Sequence, residues 1–189
     1  GEARVRVFPA RGTASEETAA SSGEGGGTRS ERHRATEEEI RATADVATRF
    51  LAGLIGLMGY QGEIQAVEED GTVLLSLEGP SVTELIGTKG ATLAALEELV
   101  RAAVSARLGH ARAMVRLDIH GYRRRRQEAL REYVARLVAD VERSGRAKTL
   151  EPMNAADRKI VHDAAAQFSS VTTRSEGAEP RRQVTIYPR

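Results

Sequence analysis

From residue 36 onward, the apolar residues recur at two different spacings along the chain. One is the spacing of amphipathic helices, and the other is the alternation of half-buried strands. The predicted helices cover about 36–58, 91–108, 122–144 and 154–168, with a short helical segment at 82–86. The predicted strands cover about 60–68, 72–78, 115–119, 147–151, 171–175 and 183–187. Helices and strands in this mixed order predict an α+β protein.

Local signals predict where several of these elements begin and end. Thr36 followed by Glu39 is a capping box, which marks the start of the first helix. The Glu-Asp-Gly sequence at 69–71 predicts a hairpin turn between the first two strands. Gly53 and Gly56 fall inside the first helix, where each costs about 1 kcal/mol relative to Ala. We therefore expect a neighbouring element to pack closely against these two glycines.

The order of elements divides the chain into two small domains. Residues 36–120 are predicted to form a three-stranded sheet with helices on one face, and residues 121–189 a second three-stranded sheet with two helices. Residues 9–35 are rich in Gly, Ser, Thr, Glu and Arg, which predicts a disordered linker because nothing there offsets the entropy of ordering. Residues 1–8 contain one alternating strand, which is either paired elsewhere or left over from a domain whose remainder is missing.

The composition narrows the function classes. Aromatic residues make up 4% of the 189 residues and Cys is absent, which excludes a disulfide framework and Cys-based metal or thiol chemistry. Neither a membrane-spanning apolar run nor a signal-peptide pattern is present, so we expect a cytoplasmic protein. Residues 1–80 carry 8 Lys/Arg and 14 Asp/Glu, whereas residues 81–189 carry 20 and 13. This positive second half favours a polyanionic partner, although ordinary solvated surfaces carry similar imbalances.

A loop bracketed by glycines lies between the short helical segment and the next helix. Gly87 and Gly90 flank Thr88 and Lys89, so bare backbone adjoins a hydroxyl and a positive charge. The helix that begins near residue 91 directs unsatisfied N–H groups toward the loop, which favours an anion such as phosphate. KH domains bind the backbone of about four nucleotides with a Gly-x-x-Gly loop. Two glycines at this spacing also occur as an incidental turn of a small α+β domain, so the surrounding elements decide the interpretation.

Two basic motifs lie in the second domain. Four consecutive arginines open its first helix, where cations are unfavourable, so they indicate either a phosphate-rich partner or a solubilising helix start. Arg158 and His162 are four residues apart and share one helical face, which we expect to point toward solvent or a groove. The alternatives are a surface histidine satisfied by Asp163 or water, and an arginine paired with Asp157 or Glu151.

These motifs resemble a known family. The element order of 36–120 around the glycine loop is similar to a type II KH domain, the bacterial arrangement. The second domain resembles an R-three-H domain, a family that binds single-stranded nucleic acid, in Leu-Glu-Pro-Met at 150–153, Arg158-x-x-x-His162, Ser-Glu-Gly at 175–177 and Glu-Pro-Arg-Arg at 179–182. A KH domain followed directly by an R-three-H domain is similar to the Jag family of bacterial RNA-binding proteins, also called KhpB or SpoIIIJ-associated protein, over about 36–189. In that family a small Jag domain precedes a variable linker, and residues 1–8 resemble its last strand.

The resemblance implies a non-catalytic protein that binds single-stranded RNA, with single-stranded DNA as an alternative. The residues assigned to RNA binding are Ile86, Gly87, Thr88, Lys89, Gly90, Leu93, Arg123, Arg124, Arg158, His162, Arg174, Arg181 and Arg182. Ile86 and Leu93 are expected either to line the groove for unpaired bases or to be plain core residues. The loop here has one cation where the family commonly has two basic or polar residues, so we expect weaker binding. No metal, cofactor or small-molecule substrate is implied.

Two other function classes stay open. A nuclease would use His162 with Asp157 or Asp163, but neither aspartate has the spacing that would bring it beside the histidine on a helix. No P-loop, nucleophile elbow or paired-carboxylate motif is present. The other class is a protein-interaction adaptor, because type II KH domains can dimerise. For that class the resemblance implies a second, smaller KH protein as partner and a link to the YidC-type membrane insertase. For the RNA-binding class, the resemblance implies a post-transcriptional regulator of cell envelope growth and division.

Overall fold

The structure is a computed structural model that describes residues 35–109 and 113–189, together with the backbone of residues 5–7. The strands are β1 (Val5–Val7), β2 (Glu63–Glu69), β3 (Thr72–Glu78), β4 (Met114–Ile119), β5 (Lys148–Thr149), β6 (Val171–Glu176) and β7 (Gln183–Pro188). The helices are α1 (Glu37–Leu57), α2 (Ala91–Leu108), α3 (Tyr122–Ser144) and α4 (Ala155–Ala165), and 3₁₀ turns at Val82–Ile86 and Thr88–Gly90 join β3 to α2. The predicted α+β class is confirmed. The predicted linker lies outside the described residues, apart from Ala35.

The chain divides into two compact units between His120 and Gly121. The first unit contains a four-stranded sheet in the order β1-β2-β3-β4. Residues 36–120 supply three of these strands, as predicted, and a fourth strand from outside that range joins them. The additional strand is β1, which pairs in parallel with β2 at Val5↔Ile64 and Val7↔Ala66. It occupies the edge of β2, where unpaired backbone groups would otherwise be exposed. The strand near the N-terminus therefore has a partner within this chain.

One face of the first sheet is buried, and two helices cover it. Buried side chains alternate along the paired strands, with Ile64 opposite Leu77 and Leu75 opposite Leu117. Residues at alternate positions of a strand point to the same face, so these side chains form a single apolar layer. The helices supply the other half of the core with Ala47, Leu51, Ile55, Leu93, Leu96, Val100 and Val104. Helices on one face of the sheet are as predicted.

The outer edge of β4 is covered by two side chains of α2. Glu97 is 7% exposed and accepts a hydrogen bond from the Leu117 backbone N–H at 2.9 Å. Arg101 donates from Nε to the Val115 carbonyl at 3.0 Å and also pairs with Glu97. These bonds satisfy backbone groups that an edge strand would offer to another strand. The β4 edge is therefore poorly suited to pairing with a second chain.

The two glycines inside α1 do not serve close packing. A Cβ added at Gly53 or Gly56 would have no heavy atom within 4 Å. The prediction of a closely packed neighbour was therefore wrong, because both positions lie on the exposed side of the helix. The start of α1 is as predicted: Thr36 accepts from the Glu39 N–H at 3.2 Å, and Glu39 accepts from the Thr36 N–H at 2.9 Å.

The second unit packs α3 and α4 on one face of a sheet in the order β5-β7-β6. Its core contains Leu130, Val134, Val138, Val141, Leu150, Met153, Val161, Ala165, Val171, Val184 and Ile186. Tyr133 of α3 lies outside this core and is 47% exposed. Asn154 caps α4 and accepts a hydrogen bond from the Asp157 N–H at 2.8 Å.

Candidate nucleic-acid interface

The glycine loop turns through backbone conformations that favour glycine. Gly87 has φ 69° and ψ 178°, and Gly90 has φ 80° and ψ 17°. Lys89 between them is itself left-handed, with φ 53° and ψ 27°. A Cβ at Gly87 would lie 2.8 Å from the Thr92 Cβ, closer than real side chains approach. The loop therefore requires glycine at 87 both for its conformation and for contact with the first turn of α2.

The predicted loop residues differ in accessibility. Thr88 is exposed, and Ile86, Gly87 and Lys89 are partly exposed. Gly90 is buried, so its role is to supply the left-handed turn into α2, and it does not offer open backbone to a ligand.

Leu93 and Ile86, the two residues considered for a base-binding groove, differ in burial. Leu93 is 2% exposed and is a core residue, the second of the two roles considered for it. Ile86 is half-buried and remains at the surface beside the loop.

The first turn of α2 has no side-chain cap. Its N-cap is Gly90, which has no side chain to accept a hydrogen bond. The Ala91 N–H is satisfied within the loop by the Thr88 carbonyl. Helices leave several N–H groups at their start without an intrahelical partner, and an anion can accept from them. The loop thus combines the positive end of a helix with the ammonium of Lys89 and the hydroxyl of Thr88.

The four arginines at the start of α3 have different roles. Arg126 is committed to the fold, because its Nη2 lies 3.1 Å from Oδ2 of Asp157, which is buried beside it. This ion pair joins the start of α3 to the start of α4. Arg123 and Arg124, the two assigned to RNA binding, are exposed. From the sequence, Asp157 was considered as a partner of Arg158. In the structure it pairs with Arg126 instead.

Arg158 does not point toward solvent, and the prediction that it does was wrong. It is 7% exposed, its Nη1 donates to the Met153 carbonyl at 2.8 Å, and its Nη2 pairs with Glu179 Oε1 at 2.7 Å. Met153 N–H in turn donates to the Arg182 carbonyl at 3.1 Å. Arg158 therefore fastens the β6–β7 loop to the start of α4. By holding this loop through Glu179, Arg158 supports the positions of Arg181 and Arg182, which lie in the same loop.

His162 is partly buried and bridges two hydroxyls of β6. Its Nδ1 lies 2.6 Å from Thr173 Oγ1, and its Nε2 lies 2.8 Å from Ser175 Oγ. Burial lowers the pKa of His162, and the nearby Arg158 lowers it further against an opposing effect of Asp163. Neither aspartate considered for acid–base catalysis holds the ring: Asp163 pairs with Lys159 at 2.8 Å and Asp157 with Arg126. The histidine joins α4 to the sheet.

The lowered pKa of His162 predicts how the second unit responds to acid. The unfolded chain binds a proton near pH 6.5, above the pKa in the folded state, so the unfolded state takes up more protons as the pH falls. The free energy of unfolding should therefore decrease as pH drops below about 6.5. Urea unfolding of the wild type and His162→Gln between pH 8 and 5 measures this, and the variant should show the smaller decrease. An NMR titration that gives His162 a pKa above 6.5 would contradict it.

The remaining predicted arginines lie at the surface of the second unit. Arg174 is on β6 between Thr173 and Ser175, so its side chain points to the sheet face opposite the one His162 contacts. Arg181 and Arg182 are exposed in the loop between β6 and β7. Arg174 and His162, both assigned to RNA binding from the sequence, therefore lie toward opposite faces of this sheet.

A polar cluster that was not predicted from the sequence lies on the helix-free face of this second sheet. Glu176 accepts from the Tyr187 hydroxyl at 2.6 Å and from the Thr185 hydroxyl at 3.2 Å. Thr185 also shares a hydrogen bond with Thr149 at 3.0 Å. The alternation of β7, with Val184 and Ile186 inward and Thr185 and Tyr187 outward, was the available signal for this face.

Comparison with known proteins covers both units. The R-three-H domain family matches residues 128–188. A protein of Clostridium symbiosum named "RNA-binding protein KhpB" is 35% identical over 144 residues, which cover 75% of this chain and 64% of that protein. The protein of the same name from Bacillus subtilis (strain 168) is 29% identical, covering 74% of this chain and 68% of that protein. The protein of this name from Lactiplantibacillus plantarum is 28% identical, covering 82% of this chain and 47% of that protein.

The second unit is thus an R-three-H domain, as its motifs indicated. The chain is similar to proteins named RNA-binding protein KhpB over about three quarters or more of its own length. The chain spans between about half and two thirds of the length of these relatives. Within the described residues, none of the helices combines the length and apolar character needed to cross a membrane.

Proposed function

We propose that this chain binds single-stranded RNA and catalyses no reaction. The observation that carries the proposal is the similarity of this chain to proteins named RNA-binding protein KhpB, together with an R-three-H domain at 128–188. The first unit offers the glycine loop with Lys89, and the second unit offers a group of exposed arginines. Single-stranded DNA is the alternative ligand, and competition between matched RNA and DNA oligomers distinguishes the two.

In the first unit, the glycine loop would contact the sugar–phosphate backbone. The order α1-β2-β3-3₁₀-loop-α2-β4 supports a type II KH domain. A phosphate at the loop would accept from the Thr88 hydroxyl, from the Lys89 ammonium and from N–H groups at the start of α2. Gly87, which carries no side chain at the surface, lets the strand approach, and the half-buried Ile86 would contact an unpaired base.

In the second unit, the exposed arginines would supply most of the affinity. Arg123 and Arg124 lie at the start of α3, Arg174 on the outer face of β6, and Arg181 and Arg182 in the β6–β7 loop. Guanidinium groups bind phosphate with two parallel hydrogen bonds and stack on bases. Arg158 and His162 would hold this surface in place through their contacts with the loop and with β6.

The salt dependence of binding tests the proposed function. We expect the logarithm of the affinity for a fluorescein-labelled single-stranded RNA 12-mer to fall linearly with the logarithm of the salt concentration. The slope should be about −0.7 for each phosphate contacted. Fluorescence anisotropy from 50 to 300 mM salt measures it, and gel analysis of the same RNA after incubation tests for cleavage. No binding at 50 mM salt would refute the proposal, and cleavage would refute its non-catalytic part.

A second candidate function is a protein-interaction adaptor, and an apolar groove favours it. A groove of about 300 Å³ between α1 and α2 is lined by Val46, Arg49, Phe50, Ala103 and Arg107. The family resemblance predicts three possible partners: a second, smaller KH protein, another copy of the chain, and the YidC-type insertase. Regulation of cell envelope growth and division is a prediction of the same kind. A flat salt response, with a change in sedimentation when the partner KH protein is added, would favour this candidate.

A further inference from the structure

The helix-free face of the second sheet has a particular geometry. Val184 and Ile186 of β7 point into the core, so Thr185 and Tyr187 point to the other face. Their cross-strand partners on β6 are Arg174 and Thr172, which face the same way. We call this surface, formed by Thr149, Thr172, Arg174, Glu176, Thr185 and Tyr187, the outer sheet face.

Tyr187 extends along this face. Its partner across the ladder is Thr172, yet its hydroxyl bonds to Glu176, four residues further along β6. Four strand residues span about 13 Å, a distance that the two side chains bridge only by lying along the sheet. Thr185 sits between them and is 3% exposed although it faces away from the helices. The side chain of Tyr187 therefore lies over Thr185 with its outer side toward solvent.

The position of the ring is fixed, and a cation lies beside it. The hydroxyl of Tyr187 is held by its hydrogen bond to Glu176, which also raises the pKa of that hydroxyl. Arg174 is the cross-strand partner of Thr185, over which the ring lies, so the arginine is next to the ring on the same face. An aromatic ring held in place by a hydrogen bond loses little conformational entropy when a base stacks on it. An arginine beside such a ring can bind the adjoining phosphate or stack on the same base.

We propose that Tyr187 and Arg174 form a stacking platform for an unpaired base of single-stranded nucleic acid on the outer sheet face. The proposal rests on the RNA-binding function proposed above and adds a base-contacting site to it. Single-stranded nucleic acids are bound by aromatic side chains on which bases stack, combined with basic residues that follow the backbone. The small threonines around the ring leave room for the base to approach. Arg158 and His162, on the opposite face, take no part in this contact.

The test compares three variants for binding of the same labelled RNA 12-mer. Tyr187→Leu should weaken binding about 10-fold, since stacking contributes about 1–3 kcal/mol per base. Tyr187→Phe, which keeps the ring but loses its hydrogen bond to Glu176, should weaken binding less than Tyr187→Leu does. Because no phosphate contact is removed, the salt slope of Tyr187→Leu should equal that of the wild type. Tyr133→Leu is the matched control, because Tyr133 is 47% exposed on α3 and lies outside the platform.

A fluorescence measurement makes the test independent of the stability of the Leu variant. The chain contains no Trp, so Tyr187→Trp introduces a single reporter whose emission RNA should quench by stacking, whereas Tyr133→Trp should respond weakly. Wild-type binding without a loss in Tyr187→Leu and without quenching in Tyr187→Trp would overturn the platform alone. Absence of wild-type RNA binding would overturn the proposed function and the platform with it.

Discussion

Replacing Thr88 and Lys89 with Asp is expected to reduce the RNA affinity of the chain about 100-fold while the first unit stays folded. The change removes one hydroxyl and one ammonium and puts two negative charges where a phosphate would lie. Charges about 5 Å apart repel by about 1 kcal/mol in water and about 3 kcal/mol at an effective dielectric constant of about 20. With the lost attraction, this gives a decrease of about two orders of magnitude. Anisotropy titration of labelled RNA at 100 mM salt measures it.

The fold should tolerate this substitution. Thr88 is exposed and Lys89 partly exposed, and the left-handed conformation of residue 89 is one that Asp adopts readily. Negative charge at the start of α2 also interacts favourably with the helix dipole. We therefore expect the melting temperature to stay equal or rise while RNA binding is lost.

The control for net charge is Arg49→Asp, compared with Lys89→Asp alone. Both changes alter the charge by the same amount, and Arg49 is exposed on α1 with only a loose pair to Asp45 at 3.9 Å. If the loop makes the contact, the control should lose far less affinity than Lys89→Asp. Equal losses in the two variants would show that long-range charge, rather than the loop, accounts for binding, and would remove the loop from the site.

Leu93→Ala is expected to lower the free energy of unfolding of the first unit by about 2–5 kcal/mol. Leu93 is 2% exposed and belongs to the apolar layer between α2 and the sheet. Removing three carbon atoms from such a position loses the transfer free energy of the side chain and leaves a cavity. Urea unfolding followed on amide NMR signals of α2 measures the change. RNA affinity under conditions where the variant is folded should stay within about threefold of the wild type.

Leu99→Ala is the matched control for this prediction. Leu99 is on the same helix and is 49% exposed, so the substitution should change the free energy of unfolding by no more than about 0.5 kcal/mol. If Leu93→Ala instead leaves stability unchanged and abolishes RNA binding, Leu93 lines a groove and its assignment to the core is incorrect.

Much of the local structure could be predicted from sequence because short-range signals carry it. The Thr36–Glu39 capping box and the left-handed turn at Asp70 and Gly71 both appear where expected. Each of these depends on residues within four positions of one another, so one stretch of sequence contains all of the relevant chemistry. The pairing of distant strands could not be predicted in this way: β1 adds to the first sheet through partners about 60 residues away.

The candidate site was harder to predict than the fold. Arg158 and His162 share a helical face, and spacing alone suggested a solvent-facing pair. Their partners, Glu179, Thr173 and Ser175, are 11 to 21 residues away and reach them only through the packing of α4 on the sheet. Conversely, Tyr187 lay in an ordinary alternating strand, and only the register with β6 places it beside Arg174 and Glu176.

The sequence by itself determined the α+β class, the positions of the helices and the Gly-Thr-Lys-Gly loop, because periodicity and backbone preferences act along the chain. Only the tertiary structure decided which cations face outward. Packing committed Arg126 and Arg158 to carboxylate and carbonyl partners, while Lys89, Arg123, Arg124, Arg174, Arg181 and Arg182 stayed at least partly exposed. The physical reason is that burying a charge requires a partner in space, and the chain brings such partners together only when it folds.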